Sequence, residues 1–97
     1  MIVRMIYVQV QPSQVEKARQ IWKDHCAPLM IGMSGCVSEE LLSCREQAGE
    51  MISMSTWESP EAIDAYRTSK EHGEIQRVTR DLLSGARAVV KTYDIMP

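Results

Sequence analysis

Two residues in the second half of the chain, Tyr66 and His72, have the types and the spacing that proton chemistry requires. His72 changes its charge near neutral pH, so it could take a proton from a hydroxylated compound. It precedes Ile75 by three residues, and Tyr66 follows Ile63 by three, which predicts that both rings point inward from helices. His72 is therefore a candidate general base, the alternative being a half-buried histidine held by a backbone carbonyl. Tyr66 either lines a pocket or fills the core.

Trp57 and Gln76 flank this pair. The large apolar body and single donor of Trp57 suit packing against a flat ring, although the same side chain would equally plug the sheet edge against a helix. Gln76 lies one helical turn beyond His72, where its amide could hydrogen-bond a ligand. The four side chains are candidates for contact with a small apolar or aromatic molecule.

Arg77 and His25 are predicted to lie outside the site. Arg77 is about 140° from His72 around a helix, which puts it on the polar side, where Asp81 at the i+4 position offers an ion-pair partner. His25 shares an apolar stripe with Trp22, which indicates a structural role.

Four strands and the helices between them must position these residues. Alternating and β-branched segments predict strands at residues 2–10, 36–45, 50–57 and 86–95. Ser13 and Glu16 form a capping-box pattern for a first helix that Pro28 and the Gly32/Gly35 pair are predicted to end. The other helix boundaries are predicted from Ser59 with Pro60, Ser69 and Gly85. This order predicts one α+β domain over residues 1–97, a ferredoxin-like βαββαβ fold with a four-stranded antiparallel sheet and helices on one face.

The second face of the sheet is predicted to be as apolar as the first. The third strand places Ile52, Met54 and Thr56 on that side, and the first strand adds Val3 and Met5. A sheet with one face in water should alternate cleanly with polar residues, and this one does not. A homodimer with the open sheet faces packed together is the expected arrangement.

Composition narrows the class of protein. A net charge of −2 argues against nucleic-acid binding, which needs a basic surface. No apolar run approaches the roughly 20 residues that cross a bilayer, so no membrane association is expected. Three cysteines without CxxC spacing indicate reduced thiols in the cytoplasm and no metal site. No glycine motif for a nucleotide is present, and no cofactor is predicted.

The chain resembles the antibiotic biosynthesis monooxygenase (ABM) family of dimeric α/β-barrel proteins. The resemblance rests on Gly35-Cys36, on Trp57 to Ala62 and on Ser69 to His72, in their order and spacing. It implies a pocket in each subunit between the helices and the sheet. Relatives include cofactor-free oxygenases of quinols and aromatic polyketides, haem-degrading enzymes and an isomerase of a signalling sugar.

Several positions match residues that the family uses. Trp57 matches the family tryptophan at the end of the third strand, and His72 matches a histidine common in the second helical segment. Tyr66 stands where quinol-oxidising relatives tend to carry histidine and haem-degrading ones tryptophan. Ser53 and Ile63 replace an asparagine and a tyrosine that are implicated in polyketide oxygenases. Ser53 is retained as a substrate-binding candidate.

Haem degradation is the family activity that the residues disfavour. Haem-degrading relatives use an asparagine on the first strand and a histidine one turn past the position of His72. Here the first strand has no asparagine, and Gln76 occupies the second position.

The resemblance predicts a cofactor-independent monooxygenase that acts on a hydroxylated aromatic or quinol-like compound. His72 would be the base, Trp57 and Tyr66 would orient the ring, and Gln76 and Ser53 would contact the substrate. The alternatives are a non-catalytic dimeric protein that binds a small molecule, and an isomerase of a small sugar-like metabolite.

Overall fold

The computed structural model describes residues 1–82 and 88–97 of the chain. The strands are β1 Ile2–Gln9, β2 Cys36–Ser43, β3 Glu50–Trp57 and β4 Val89–Asp94. The helices are α1 Val15–Ile21, α2 Ala27–Ile31, α3 Pro60–Arg67 and α4 Lys70–Thr79, with a 3₁₀ turn at Pro12–Gln14 and a π turn at Trp22–Cys26. The predicted last strand began at residue 86, and residues 86 and 87, like Gly85, lie outside the described part.

The four strands form one antiparallel sheet in the order β2-β3-β1-β4. The central strands pair along their full length, from Ile2 opposite Trp57 to Gln9 opposite Glu50. This register places Arg4 beside Ser55 on the face that the helices cover. The predicted α+β ferredoxin-like fold is confirmed, with β3 at its predicted bounds and β2 ending two residues early.

The first helix is not the single segment that the sequence predicts. Gln14 stands at the N-cap of α1 and makes no side-chain capping bond, so the capping box predicted from Ser13 and Glu16 is wrong. Glu16 instead accepts a hydrogen bond of 3.0 Å from Arg19. The 3₁₀ turn that precedes α1 moves the start of the helix past Ser13, and this removes the capping geometry.

The π turn explains why the helical segment does not end at Pro28 but continues to Ile31, where Gly32, also predicted at this boundary, is the C-cap. Proline has no N–H to donate to the carbonyl one turn back, so it usually breaks a helix. Here the helical turn before Pro28 is wider than an α-helical turn, because the Ala27 N–H donates to the Trp22 carbonyl five residues back. Pro28 then lies in the first turn of α2. The wider turn also shifts the helical phase, so His25 is exposed and its predicted place on the buried stripe is wrong.

Two serine caps hold the helices that carry the predicted site. Ser59 accepts a 3.2 Å hydrogen bond from the Ala62 N–H, and Ser69 accepts a 3.1 Å bond from the His72 N–H. Both caps were predicted, and both satisfy donors that a helix start leaves unpaired. The cap at Ser69 fixes the backbone of His72 directly.

The buried side chains form two clusters on the helix-covered face. One contains Met30, Trp57, Ile63 and Tyr66, and the other contains Val10, Ala18 and Met51. The opposite face carries large exposed apolar side chains near its edges, which include Leu42, Val89 and Tyr93. Within residues 1–82 and 88–97, no helix has the length and the apolar character to cross a bilayer.

Candidate functional site

A cavity of about 380 Å³ lies between the sheet and the helices, bounded by both buried clusters. Alternate residues of β1 and β3 form its floor, and α1 to α4 with the π turn form its walls. Most of its lining is apolar, contributed by Ile6, Val8, Val10, Met30, Met51 and Ile75 among others. This volume is at the lower end of the range of small-molecule sites.

Four of the five predicted site residues line this cavity: Ser53, Tyr66, His72 and Gln76. Trp57 does not. Its side chain is fully buried, its ring centroid lies 5.1 Å from that of Tyr66, and its Nε1 donates a 2.8 Å hydrogen bond to Ser55 Oγ. Trp57 thus lies one layer behind the wall, where it supports Tyr66.

The imidazole of His72 packs edge-on against Tyr66, with 5.0 Å between the ring centroids and 78° between the planes. Burial lowers the pKa of His72, Arg4 and Arg67 lower it further, and a hydrogen bond to the Arg67 backbone carbonyl opposes them. The ring is therefore neutral at pH 7. A neutral imidazole that donates one N–H to a carbonyl keeps its other nitrogen as a proton acceptor.

Tyr66 is a neutral phenol on the cavity wall. Only 1% of the residue is exposed, and burial is the main cause that raises the pKa of its hydroxyl well above the ordinary value. The guanidinium carbon of Arg4 lies 5.8 Å from the ring centroid. Tyr66 can donate a hydrogen bond to a ligand but cannot serve as a base near neutrality.

Arg4 is a cavity residue that the sequence reading missed. It is 4% exposed, it lines the cavity, and its Nη1 has no hydrogen-bond partner among the described residues. Its signal was available: in the alternation of β1, Arg4 falls on the same face as Ile2, Ile6 and Val8. A charged residue in the middle of an apolar face is unusual unless it has a partner or a function.

Glu39 was missed as well. Its Oε1 accepts hydrogen bonds of 2.9 Å from Trp22 Nε1 and of 2.9 Å from Ser53 Oγ, and both donor residues line the cavity. Its Oε2 is buried and has no partner among the described residues. Burial raises the pKa of Glu39 to about 7, although Ser53, Trp22 and Arg4 each act to lower it. Near pH 7 the carboxyl is therefore divided between its neutral and charged forms.

Arg77 lies on the exposed side of α4, as predicted, but its partner is different. Its Nε donates a 3.0 Å hydrogen bond to Glu74, and the two side chains form an ion pair at i,i+3 spacing. The predicted pairing with Asp81 is wrong because α4 ends at Thr79, so the helical i+4 spacing is not maintained as far as Asp81.

Cys26 also lines the cavity, and burial followed by Glu39 raises the pKa of its thiol to about 11. A thiol in this state is a poor nucleophile, so Cys26 acts as an apolar wall residue. Among the described residues, no three His, Cys, Asp or Glu side chains come together in a way that could hold a metal ion.

Comparison with known proteins agrees with the fold. The family model for antibiotic biosynthesis monooxygenases matches residues 1–78. A search of curated proteins finds no significant match. A candidate antibiotic biosynthesis monooxygenase from Deinococcus radiodurans has a TM-score of 0.84 and 13% identity over 100% of this chain and 94% of that one. Another from Caulobacter crescentus has a TM-score of 0.80 and 14% identity over 99% and 91% of the two chains.

At these identities the structural likeness establishes the fold alone. The family model is stronger, because it covers most of the sequence and includes every predicted site residue. The chain belongs to the antibiotic biosynthesis monooxygenase family.

Proposed function

We propose that this protein is a cofactor-independent monooxygenase that acts on a hydroxylated aromatic or quinol-like small molecule. The observation that carries the proposal is the position of His72: its imidazole lies on the wall of a mostly apolar cavity, packed edge-on against Tyr66, where burial lowers its pKa. Membership of the ABM family supports oxygenation in general. The mostly apolar lining supports an aromatic substrate.

His72 would begin the reaction by taking the proton from the substrate hydroxyl. The resulting phenolate is electron-rich, so its ring carbon can give an electron pair to O₂ and form a carbon–oxygen bond. Cleavage of the O–O bond and loss of the hydrogen on that carbon then give a quinone carbonyl and water. With 1-naphthol, the second oxygen atom of O₂ leaves as water. The two hydrogens of this water are the hydroxyl proton, which His72 returns, and the proton lost from the ring carbon.

The other cavity residues would orient the ring and exclude water. Tyr66 and Gln76, which line the cavity, would donate hydrogen bonds to oxygen atoms as negative charge develops on them. Trp57 would act through Tyr66, whose ring it supports from behind. The apolar walls would strengthen these polar contacts by keeping the site dry.

We also propose that two copies pack through the open sheet faces. Support comes from the exposed apolar side chains on that face, among them Val89 and Tyr93 at 48% and 43% exposure. Packing against a second copy would remove them from water at about 25 cal/mol per Å² of apolar surface. The partner would thereby stabilise the sheet on which the cavity is built.

A second candidate is a non-catalytic binding protein that uses the same cavity. The hydrogen bond from the Ser53 hydroxyl to Glu39 favours a binding protein, because the hydroxyl proton is not free to direct a reacting oxygen. The sugar isomerase has less support, since walls such as Ile6 and Ile75 would leave sugar hydroxyls without partners.

Oxygen uptake with 1-naphthol and a panel of quinols tests the proposed activity. We expect uptake by the wild type and a loss of about 10²-fold or more in His72→Gln, since a positioned base contributes about 10²–10⁴-fold. His25→Gln is the matched control, because His25 is exposed and outside the cavity, and it should keep full activity. Equal activity of both variants would remove His72 as the base, and no uptake with any compound would favour the binding protein.

A further inference from the structure

Arg4 is a buried cation that the proposed chemistry has not used. The residue is 4% exposed, yet its Nη1 has no partner among the described residues. The ion pairs within residues 1–82 and 88–97 are Arg19–Glu16 and Arg77–Glu74, so Arg4 has no direct carboxylate partner there. A guanidinium buried without a charge partner is costly unless something else offsets its desolvation.

The surroundings of Arg4 offset its charge only partly. Glu39 attracts it through space, but the carboxyl directs Oε1 to Trp22 and Ser53. The ring of Tyr66 lies 5.8 Å from the guanidinium carbon and adds a cation–π attraction. The guanidinium is thus left with an unpartnered donor at the cavity wall, and a guanidinium is suited to bind an oxygen anion.

Arg4 and His72 both lie against the ring of Tyr66. The guanidinium carbon is 5.8 Å and the imidazole centroid is 5.0 Å from the Tyr66 centroid. One aromatic ligand resting on this wall could therefore place one oxygen at His72 and a second oxygen at Arg4. The two side chains would select for two polar substituents on one ring system.

We infer that Arg4 is the anchor for an anionic oxygen of the ligand, so that the cavity takes aromatic compounds that bear a carboxylate or a phenolate. Glu39 is a positioning residue in this arrangement, since it holds Ser53 and Trp22 on the cavity wall and limits the positive field of Arg4. The inference takes the aromatic class of the ligand from the proposed function, but it does not require that the protein is a catalyst.

Matched ligands test the anchor in the wild-type protein by calorimetry at pH 8. The probes are 2-naphthoate and 2-naphthamide, which share a shape and differ in charge. We expect the carboxylate to bind at least about tenfold more tightly, as expected for a charge-assisted hydrogen bond. The absorbance of 4-nitrophenol at pH 6, where the free phenol is mainly protonated and colourless, forms the second arm, because a phenol held at Arg4 binds as its coloured phenolate. No preference for 2-naphthoate and no phenolate signal would overturn the inference, whereas either signal supports it and identifies the anionic group.

Substitutions then assign the effect to Arg4. Arg4→Gln should lose the preference for 2-naphthoate while its affinity for 2-naphthamide changes less than about threefold. Arg4→Lys should keep part of the preference. Arg77→Gln is the control for the loss of an arginine, because Arg77 is exposed and outside the cavity. Full retention of the preference in Arg4→Gln would overturn the assignment, because Arg67 also lines the cavity. A wild type without the preference overturns the inference whether or not the variants fold.

Glu39→Gln separates a positioning role from a purely structural one. The amide keeps an oxygen for Trp22 and Ser53 but removes the negative charge, so 2-naphthoate should bind several-fold more tightly at pH 8 while 2-naphthamide is unaffected. Equal weakening of both ligands would show that Glu39 only holds the wall. A preference for 2-naphthoate without oxygen uptake would support Arg4 as the anchor and contradict the proposed monooxygenase activity. Oxygen uptake without this preference would support the activity and contradict the anchor.

Discussion

At the scale of single residues, burial moves two titratable groups of the site toward their neutral forms. It lowers the pKa of His72 and raises the pKa of Glu39 to about 7. The thiol of Cys26 and the hydroxyl of Tyr66 are held neutral by the same effect. Arg4, whose ordinary pKa is 12.5, remains charged although burial lowers its pKa too. A neutral base and a buried cation are a combination suited to forming and holding an oxyanion.

The raised pKa of Glu39 predicts a pH dependence of stability. The folded state holds a proton that the unfolded state releases between the ordinary value of 4.5 and about 7, so stability falls as pH rises through this window. We expect the free energy of unfolding of the wild type to fall by about 2 kcal/mol between pH 5 and pH 7.5 relative to Glu39→Gln.

Urea denaturation of both proteins at the two pH values measures this difference. The comparison isolates Glu39, because His72 titrates in both proteins and its lowered pKa gives the opposite slope below pH 6.5. Parallel pH profiles of the two proteins would show that the carboxyl is not desolvated as the structure indicates.

The residues that the sequence predicted and those it missed differ in a physical way. Tyr66 and His72 were predictable because an apolar helical period alone indicates that they face the sheet. Glu39 was not, since its partners Trp22 and Ser53 lie on other elements and only the folded chain brings them together. Arg4 stood out in the alternation of β1, but whether it had a partner depends on those same tertiary contacts.

At the scale of elements, the caps of α3 and α4 have different relations to the site. Ser69 bonds the backbone N–H of His72, whereas Ser59 bonds that of Ala62, away from the cavity. We expect each Ser→Ala change to cost about 1 kcal/mol of stability. Only Ser69→Ala should also lower oxygen uptake, because it loosens the backbone that carries the base.

Thermal unfolding and initial rates on the two variants check this pair. A loss of activity in Ser59→Ala as large as that in Ser69→Ala would mean that the caps act on stability alone. Unchanged stability in both would contradict the capping bonds themselves.

The start of α3 lies so close to the turn before β2 that one position there requires glycine. A Cβ on Gly35 would lie 2.5 Å from the Cβ of Ala62, and the backbone φ of +86° disfavours other residues. We expect Gly35→Ala to lower stability by about 2 kcal/mol or more, as strain and overpacking add. Gly73→Ala in α4 is the matched control, because a Cβ there meets no atom within 4 Å.

The control should gain stability, by about 0.5–1 kcal/mol, since alanine favours a helix over glycine. Opposite signs for the two variants in urea denaturation are therefore the expected result. A tolerated Gly35→Ala would show that the turn and α3 are farther apart in solution.

The helical segment before β2 shows where sequence reading fails at this scale. Periodicity predicted one helix, but the π turn advances the phase within it, so His25 faces water while Trp22 reaches Glu39. The strands were predicted more closely, since an alternation of two residues leaves less room for a phase error. In a helix, one extra residue per turn rotates everything that follows.

At the scale of the whole molecule, the sheet separates two functions. One face holds the cavity with its buried charge, and the other carries apolar side chains such as Val89 and Tyr93 that remain exposed in a single chain. A small domain buries a limited fraction of its surface, so a second copy on the free face would add stability without touching the cavity. The two faces should therefore respond to mutation independently.

Sedimentation of the wild type should give twice the 11.0 kDa mass of one chain at micromolar concentration. Val89→Lys with Tyr93→Lys places charges on the free face, where burial of an unpaired charge is unfavourable, and should give a single-chain species. If the cavity is complete within one chain, the single-chain variant keeps its preference for 2-naphthoate over 2-naphthamide. Its free energy of unfolding should nevertheless be lower than that of the wild type. A wild type that sediments as one stable chain would remove the dimer, and a dissociated variant that loses ligand binding would show that the partner copy shapes the cavity.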